Sequence, residues 1–423
     1  MKFFAVTGNP ILFSKSPELF NSIFRAKKIE AYYFRLAAQS AKEAIDLFKE
    51  LGLSGMSVTA PFKSDIIPYL DQIDQIAQEI GAVNTVINKN GKLIGYNTDY
   101  YGIVDSLGEI KNKKVLLIGA GGAAQAVAYS ISKKGGALTI FNRTSAKAEL
   151  LAQKYKANIC SKDNLQAYCK NTDIIINTLP SGIKILEDSS FHQQQIIFDA
   201  IYHNSVYQAI AKQVGAEFLS GELWLKNQAI PAFKLFFEKE DLSFDEIEIP
   251  AKKPKSKLIF TGFMASGKSV VGKAFSQEIK YNFYSTDDKI AANEGLSISQ
   301  IFEKYGESYF REKEQKVLSN LSEIKENAVV SSGGGLILDA QNRKLISDNF
   351  LSIFLYANTQ SIANRAKTAN RPLLKDNPTA IQDLMQQRKN FYLQSCDILI
   401  NTNNKTIGEI VELLSEEFVS LYK

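Results

Sequence analysis

Histidine, cysteine and tryptophan are scarce in this 423-residue chain, which has two, three and one of them. His192 and His203 are too few for a histidine-rich zinc site. Cys160, Cys169 and Cys396 show neither CxxC nor any other metal spacing, so zinc chemistry and a disulfide framework are both disfavoured and a reducing compartment is the default. Long apolar runs are missing too. The short N-terminal run ends at Gly8-Asn9-Pro10, well before a secretory h-region would, and no later stretch approaches the roughly 18 uninterrupted apolar residues of a membrane span. A soluble, unexported, cytoplasmic protein is expected. Charge of one sign is not in excess either: Lys plus Arg number 50 against 45 Asp plus Glu. That small surplus on a long chain speaks against nucleic acid or a membrane surface as partner and fits small anionic ligands. Oligomeric state is not legible.

What is present is α/β patterning. Short β-rich runs (Phe3 to Thr7, Tyr32 to Leu36, Ser57 to Thr59) alternate with helical periodicity at Pro17 to Lys28 and Ala41 to Leu51. Asn90-Gly91 between two apolar runs predicts a hairpin within Val83 to Tyr96. A second series has a strand at Lys114 to Ile118, a helix over Gly119 to Lys134 and a strand at Ala137 to Phe141, which is one βαβ unit. The polar stretch Glu238 to Lys257, acidic and then basic, reads as a solvated linker. A third α/β series starts at Leu258 and runs to the C-terminus.

Gly119-Ala120-Gly121-Gly122-Ala123-Ala124 follows a strand and opens a helix, the context in which backbone N–H groups and a helix N-terminus face a pyrophosphate. About 20 residues on, where an NAD site usually carries an acid, stands Asn142-Arg143-Thr144. A guanidinium there suits a 2′-phosphate, so the expected cofactor is NADP(H).

In order and without large gaps, the first roughly 240 residues resemble shikimate dehydrogenase. The resemblance is carried by Gly8 to Pro17 with Ser14 and Ser16, by Val58-Thr59-Ala-Pro-Phe-Lys63, Gly81-Ala-Val-Asn84-Thr and Asn97-Thr-Asp99, by the glycine turn and Asn142-Arg-Thr, and by Gly221 and Gln228. It implies a substrate lobe followed by a Rossmann lobe, with NADPH reducing 3-dehydroshikimate to shikimate. It also implies Lys63 as acid/base with Asp99 as its partner, and substrate contacts from Ser14, Ser16, Thr59, Asn84, Tyr202 and Gln228. Gly221 would adjoin the cofactor. On residue chemistry alone, Ser16-Pro17 reads as an N-cap followed by a first helical position, and Asp99 as a helix cap. Ser57, Leu179 and Trp224 depart from the family's usual Asn, Thr or Ser, and Met.

Gly262-Phe-Met-Ala265-Ser266-Gly267-Lys268-Ser269, between a strand and an apolar-periodic helix that opens with Val270, is a phosphate-binding loop. Its amides cradle phosphates, Lys268 reaches the β/γ oxygens and Ser269 can ligate Mg²⁺, which makes ATP the expected nucleotide. From Leu258 onward the chain resembles shikimate kinase, through Asp287, Gly306-Glu-Ser-Tyr-Phe-Arg311, Gly333-Gly334-Gly335, Arg371-Pro-Leu-Leu, and Arg388 with Tyr392. The resemblance implies Asp287 and Gly334 on shikimate hydroxyls, Arg311 and Arg388 on its carboxylate, Arg371 on the phosphates and Arg365 beside the adenine. Glu307 and Arg311 also have the spacing of an ordinary i,i+4 surface pair. Ser285 stands where the family's first acid would be.

The fold expected is α/β throughout: a two-lobed dehydrogenase with a Rossmann domain (1–100 and 101–240), a linker (241–256) and a P-loop kinase α/β/α domain with a parallel sheet (257–423). The function expected is reduction of 3-dehydroshikimate followed by phosphorylation of shikimate. The alternatives are an NAD-dependent quinate/shikimate-type dehydrogenase and, prompted by Ser285, a kinase-like lobe that binds without turnover.

Overall fold

The structure is a computed structural model that describes residues 1–180, 182–202, 205–238, 240–251, 255–368 and 378–421. In the first lobe β1 (Lys2–Gly8) lies parallel to β2 (Ala31–Ala37) on one side and to β3 (Gly55–Val58) on the other. The short β4 (Gln72–Ile73) precedes β5 (Thr85–Lys89) and β6 (Lys92–Tyr96), an antiparallel hairpin turned by Asn90 and Gly91, both at positive φ as the sequence predicts. The helix Ala41–Leu51 is set by local chemistry. Ser40 caps its first turn by accepting from the Glu43 amide, and Gly52 ends it in the left-handed region.

The second lobe is a six-stranded parallel sheet of β7 (Lys114–Ile118), β8 (Ala137–Phe141), β9 (Asn158–Ile159), β10 (Ile174–Asn177), β11 (Ile196–Asp199) and β12 (Glu217–Ser220). Its order β12-β11-β10-β7-β8-β9 is that of a Rossmann sheet, with the switch point beside β7. The helix Gly221–Phe236 leaves this lobe and returns to the first. Trp224 near its start packs on Phe198, and Phe236 near its end on Phe4.

The third series contributes β13 (Lys257–Thr261), β14 (Asn282–Ser285), β15 (Ala328–Ser331), β16 (Leu351–Tyr356) and β17 (Ile398–Asn401) in the order β14-β15-β13-β16-β17. The continuous apolar runs of β13 and β16 are those of strands covered on both faces. This sheet does not end at β17. Ile398, Leu399 and Ile400 pair in parallel with Arg35, Leu36 and Ala37, which joins the third series to the first lobe as one 11-stranded sheet. The hydrophobic cores are shared across the join. On one face Phe34, Ile45 and Phe48 cluster with Phe354, Tyr392 and Leu399; on the other Leu12, Phe20 and Phe24 cluster with Phe275, Ile398, Ile410 and Leu413.

Polar contacts reinforce the junction. Lys405 pairs with Glu43, Asn401 donates to Glu43 at 2.7 Å, and Lys389 donates to the Leu51 carbonyl at 3.0 Å. From β14 to β3 all neighbouring strands are parallel, so their carboxyl ends, where α/β folds place their sites, share one edge.

Three expectations are corrected. The stretch read as a solvated linker is seated on the fold: Leu242 and Ile247 are buried, Lys27 pairs with Glu246, and Lys255 donates to the Ser347 and Phe350 carbonyls. Some of its charges have partners, and Leu242 and Ile247 between them join the core. The helix expected from Gly119 begins at Gly122, because Gly119 to Gly121 form the turn into it. Lys15, not Ser16, occupies the N-cap position of Ser16–Ala26, and no side chain caps that end.

Candidate active sites

The dehydrogenase candidates converge at the carboxyl ends of β1 and β3. Lys63 donates to Asp99 at 2.6 Å with both side chains nearly buried, so Asp99 is more than the plain helix cap that residue chemistry alone suggests. Asp99 opens the helix Asp99–Leu107. Beside the pair is a polar network. Asn84 donates to Thr98 Oγ1 at 3.0 Å and to Gln228 Oε1 at 2.9 Å, accepts the Thr98 amide at 2.7 Å, and accepts Thr85 Oγ1 at 3.0 Å. Thr98 and Thr85 were not singled out by the sequence, although both stand inside motifs that were. Ser14 and Ser16 are buried with their hydroxyls 3.3 Å apart, and Thr59 is half-buried just past β3. Burial, with Asp99 and Glu222 nearby, raises the Tyr202 phenol, which therefore stays protonated as a donor. Ser57 is held by Tyr33 Oη at 2.7 Å, a partner with no signature in the sequence.

The glycine turn faces this cluster. A Cβ on Gly122 would lie 3.0 Å from Lys63 Cβ, whereas one on Gly121 would meet nothing within 4 Å. That open space at the start of the helix Gly122–Lys133 fits a pyrophosphate against the N-terminal amides. Asn142 donates to the Thr144 carbonyl at 2.9 Å, shaping the turn after β8. Arg143 is exposed there with no ion pair or hydrogen bond among the described residues. Gly221 sits where a Cβ would strike the Ala200 carbonyl at 2.3 Å, so only glycine allows this approach of strand and helix.

The kinase candidates gather on the same edge of the large sheet. The loop after β13 has Gly262, Ala265 and Gly267 at positive φ, the last capping the helix Lys268–Glu278. The buried Lys268 ammonium donates to the Phe263 carbonyl at 3.0 Å, folded back over the loop, and Ser266 is buried within it. Ser269 and Val270 are exposed at the helix start, and Ser269 Oγ lies 3.0 Å from Ser331 Oγ at the end of β15. Ser285, paired in register with Ser331, accepts the Asp288 amide at 3.2 Å and so caps Thr286–Glu294. The loop after β15 is held by Thr286, which accepts the Gly333 amide at 2.9 Å, and by Tyr392, which donates to the Gly334 carbonyl at 2.5 Å. Burial raises the Tyr392 phenol and keeps that donor in place.

Arg388 also reaches the Gly334 carbonyl, at 3.4 Å. A Cβ on Gly335 would come within 2.4 Å of the Arg311 guanidinium, so the third glycine makes room for that arginine. Arg311 pairs with Glu307 at 2.9 Å, as its spacing predicts, and with the fully buried Glu314 at 2.6 Å. Glu314 went unnoticed in the sequence because it sits on an otherwise ordinary helical charge pattern. Burial raises its carboxyl, against the pull of Arg311, and Asp287 stands near it. Arg365 donates to Thr402 just past β17. Arg371 lies outside the described residues.

Family models match at residues 6–86 (shikimate dehydrogenase substrate binding domain), 103–200 (shikimate / quinate 5-dehydrogenase) and 264–418 (shikimate kinase). Shikimate dehydrogenase (NADP(+)) of Aquifex aeolicus is 37% identical over 244 residues, 55% of this chain and 90% of its own; that of Bacillus anthracis is 38% identical over 255 residues, 56% and 92%. The crystal structure of the Aquifex aeolicus enzyme, at 34% identity, aligns with a TM-score of 0.55 over 58% of this chain and 96% of that one. The Thermus thermophilus enzyme in complex with NADP(H) and shikimate, at 27% identity, aligns at 0.54 over 58% and 97%. No helix among the described residues is long and apolar enough to cross a membrane. The chain therefore belongs to the shikimate dehydrogenase family over its first part and carries, fused behind it, a shikimate kinase domain.

Proposed function

We propose that one chain performs two consecutive steps on the same ring: NADPH-dependent reduction of 3-dehydroshikimate to shikimate, then ATP-dependent phosphorylation of shikimate to shikimate 3-phosphate. The observation that carries it is the buried Lys63–Asp99 pair set against the glycine turn, on a chain whose other domain takes the product of that reduction. Bound NADPH supplies a hydride to the ketone carbon. Lys63, aligned by Asp99, stabilises the oxygen that becomes negative and gives it a proton. Ser14 and Ser16 receive the ring carboxylate, and Thr59, Asn84, Tyr202 and Gln228 the hydroxyls. Gly119 to Ala123, Asn142, Thr144 and Gly221 shape the cofactor cleft, with Arg143 on the 2′-phosphate.

In the kinase domain the amides of Gly262 to Ser269 and the Lys268 ammonium hold phosphate charge, and the Ser269 hydroxyl is placed to ligate Mg²⁺. Asp287 and Gly333 to Gly335 hold the ring hydroxyls. Arg311 and Arg388 face the carboxylate, Arg365 flanks the adenine, and Arg371 is assigned to the phosphates by its motif. The NAD-dependent, quinate-type alternative is not favoured, since the curated relatives of Aquifex aeolicus and Bacillus anthracis are NADP(+) enzymes.

The test is a single incubation of the full chain with 3-dehydroshikimate, NADPH, ATP and Mg²⁺. Shikimate 3-phosphate should form, with NADPH oxidised and ADP released in equal amounts. Shikimate accumulating without ADP would reduce the second domain to a binding module.

A further inference from the structure

Glu417 belongs to the segment matched by the kinase model, near the end of the helix Ile407–Ser420, yet its carboxyl group serves the other enzyme's loop. It is 1% exposed, and its Oε2 accepts two successive backbone amides, Ile11 at 2.8 Å and Leu12 at 2.7 Å. Those are the first N–H groups after Pro10, which has none. Both residues are buried, so the two donors have no water to turn to. The same turn is closed by the Ser14 amide donating to the Ile11 carbonyl at 3.0 Å, which sets Ser14 Oγ 3.3 Å from Ser16 Oγ. A second grip comes from Arg35 on β2, the strand paired with β17. It donates to the Ser14 carbonyl at 2.5 Å and to Glu18 at 2.6 Å.

We propose that Glu417 is a positioning residue for the dehydrogenase: a side chain of the kinase domain that fixes the 8–16 loop so that Ser14 and Ser16 meet the substrate carboxylate. This rests on the reading of those serines as substrate ligands. The geometry demands reach more than charge, because what must be supplied is one acceptor oxygen on which two successive N–H groups converge. Aspartate keeps the carboxyl group but withdraws the oxygen by one methylene. Glutamine keeps the reach and an acceptor oxygen.

The experiment uses the full chain carrying Glu417→Asp, Glu417→Gln or, as a reference, Ser16→Ala. It measures dehydrogenase kcat and KM for shikimate and for NADP⁺, and the kinase kcat/KM for shikimate. Glu417→Asp should lower the dehydrogenase kcat/KM for shikimate by roughly 10- to 100-fold, mainly through KM, as expected when a binding group is displaced by about 1 Å. The KM for NADP⁺ and the kinase constants should hold, and Glu417→Gln should recover most of the loss. An unchanged KM for shikimate in Glu417→Asp, with a raised one in Ser16→Ala, overturns the role of Glu417 alone. An unchanged KM in Ser16→Ala overturns the reading of the loop itself. Parallel losses in both enzymes would reduce Glu417 to general packing and overturn the proposal too.

Discussion

Two lysines divide the chemistry between them. Lys63→Ala should lower 3-dehydroshikimate reduction by roughly 10²- to 10⁴-fold, the span of a positioned acid/base, with shikimate phosphorylation retained. Lys268→Ala should do the converse. The two assays run on each purified variant decide it, and loss of both activities in a folded variant would contradict two separate sites. Arg143 makes a finer test. It is exposed, with no ion pair or hydrogen bond among the described residues, so its guanidinium is open to a ligand. Arg143→Ala should weaken NADPH by about 1.5 to 3 kcal/mol, the worth of a charge-assisted hydrogen bond, and NADH far less. Equal losses in titrations of both cofactors would show that it does not read the 2′-phosphate. These residues were legible because each stands in a short motif whose spacing is tied to a backbone shape. Tyr33, Thr98 and Glu314 were not: their roles come from neighbours 14 to 130 positions away or from burial, and one-dimensional spacing encodes neither.

Among elements, the parallel strands and the hairpin could be read from β-rich runs and Asn90-Gly91, while helix starts shifted wherever a turn or a cap decided them. Ser285 illustrates the second case. A missing acid in the sequence, it is a helix cap in the fold, and it stands in line with Ser331 and Ser269 across the ends of β14 and β15 and the start of the helix Lys268–Glu278. Aspartate caps as well as serine does, so Ser285→Asp should keep the helix while adding charge beside the metal position. The Mg²⁺ needed for half-maximal kinase turnover should fall by roughly 10- to 100-fold. Ser285→Ala should instead cost about 1 kcal/mol of stability in a denaturant titration and leave the Mg²⁺ requirement where it was. An Asp variant with the same or a higher requirement would place Ser285 away from the metal.

At the scale of the whole molecule the sequence was least informative. Two family-like halves joined by a charged stretch suggest two bodies on a tether, because nothing in β2 or β17 marks them as neighbours. Their apolar composition suits any interior strand, and which edges meet depends on the complete tertiary fold. The merged sheet makes a prediction about separation. Expressed alone, residues 1–250 would expose the edge of β2 and the apolar faces that Leu12 and Phe48 share with the kinase, a recipe for edge-to-edge association. The fragment should elute as aggregate or melt roughly 5 °C or more below the full chain, and co-expressed 255–423 should rescue it. A monomeric fragment with the full chain's melting midpoint would refute this. The β2–β17 pairing also sets an order in time. On a growing chain β17 emerges about 360 residues after β2, which at roughly 5–20 residues per second is about 20–70 s later. Throughout that interval the amides of Ile11 and Leu12 await an acceptor not yet synthesised. The dehydrogenase, first to leave the ribosome, is thus completed only when the last helix of the kinase arrives.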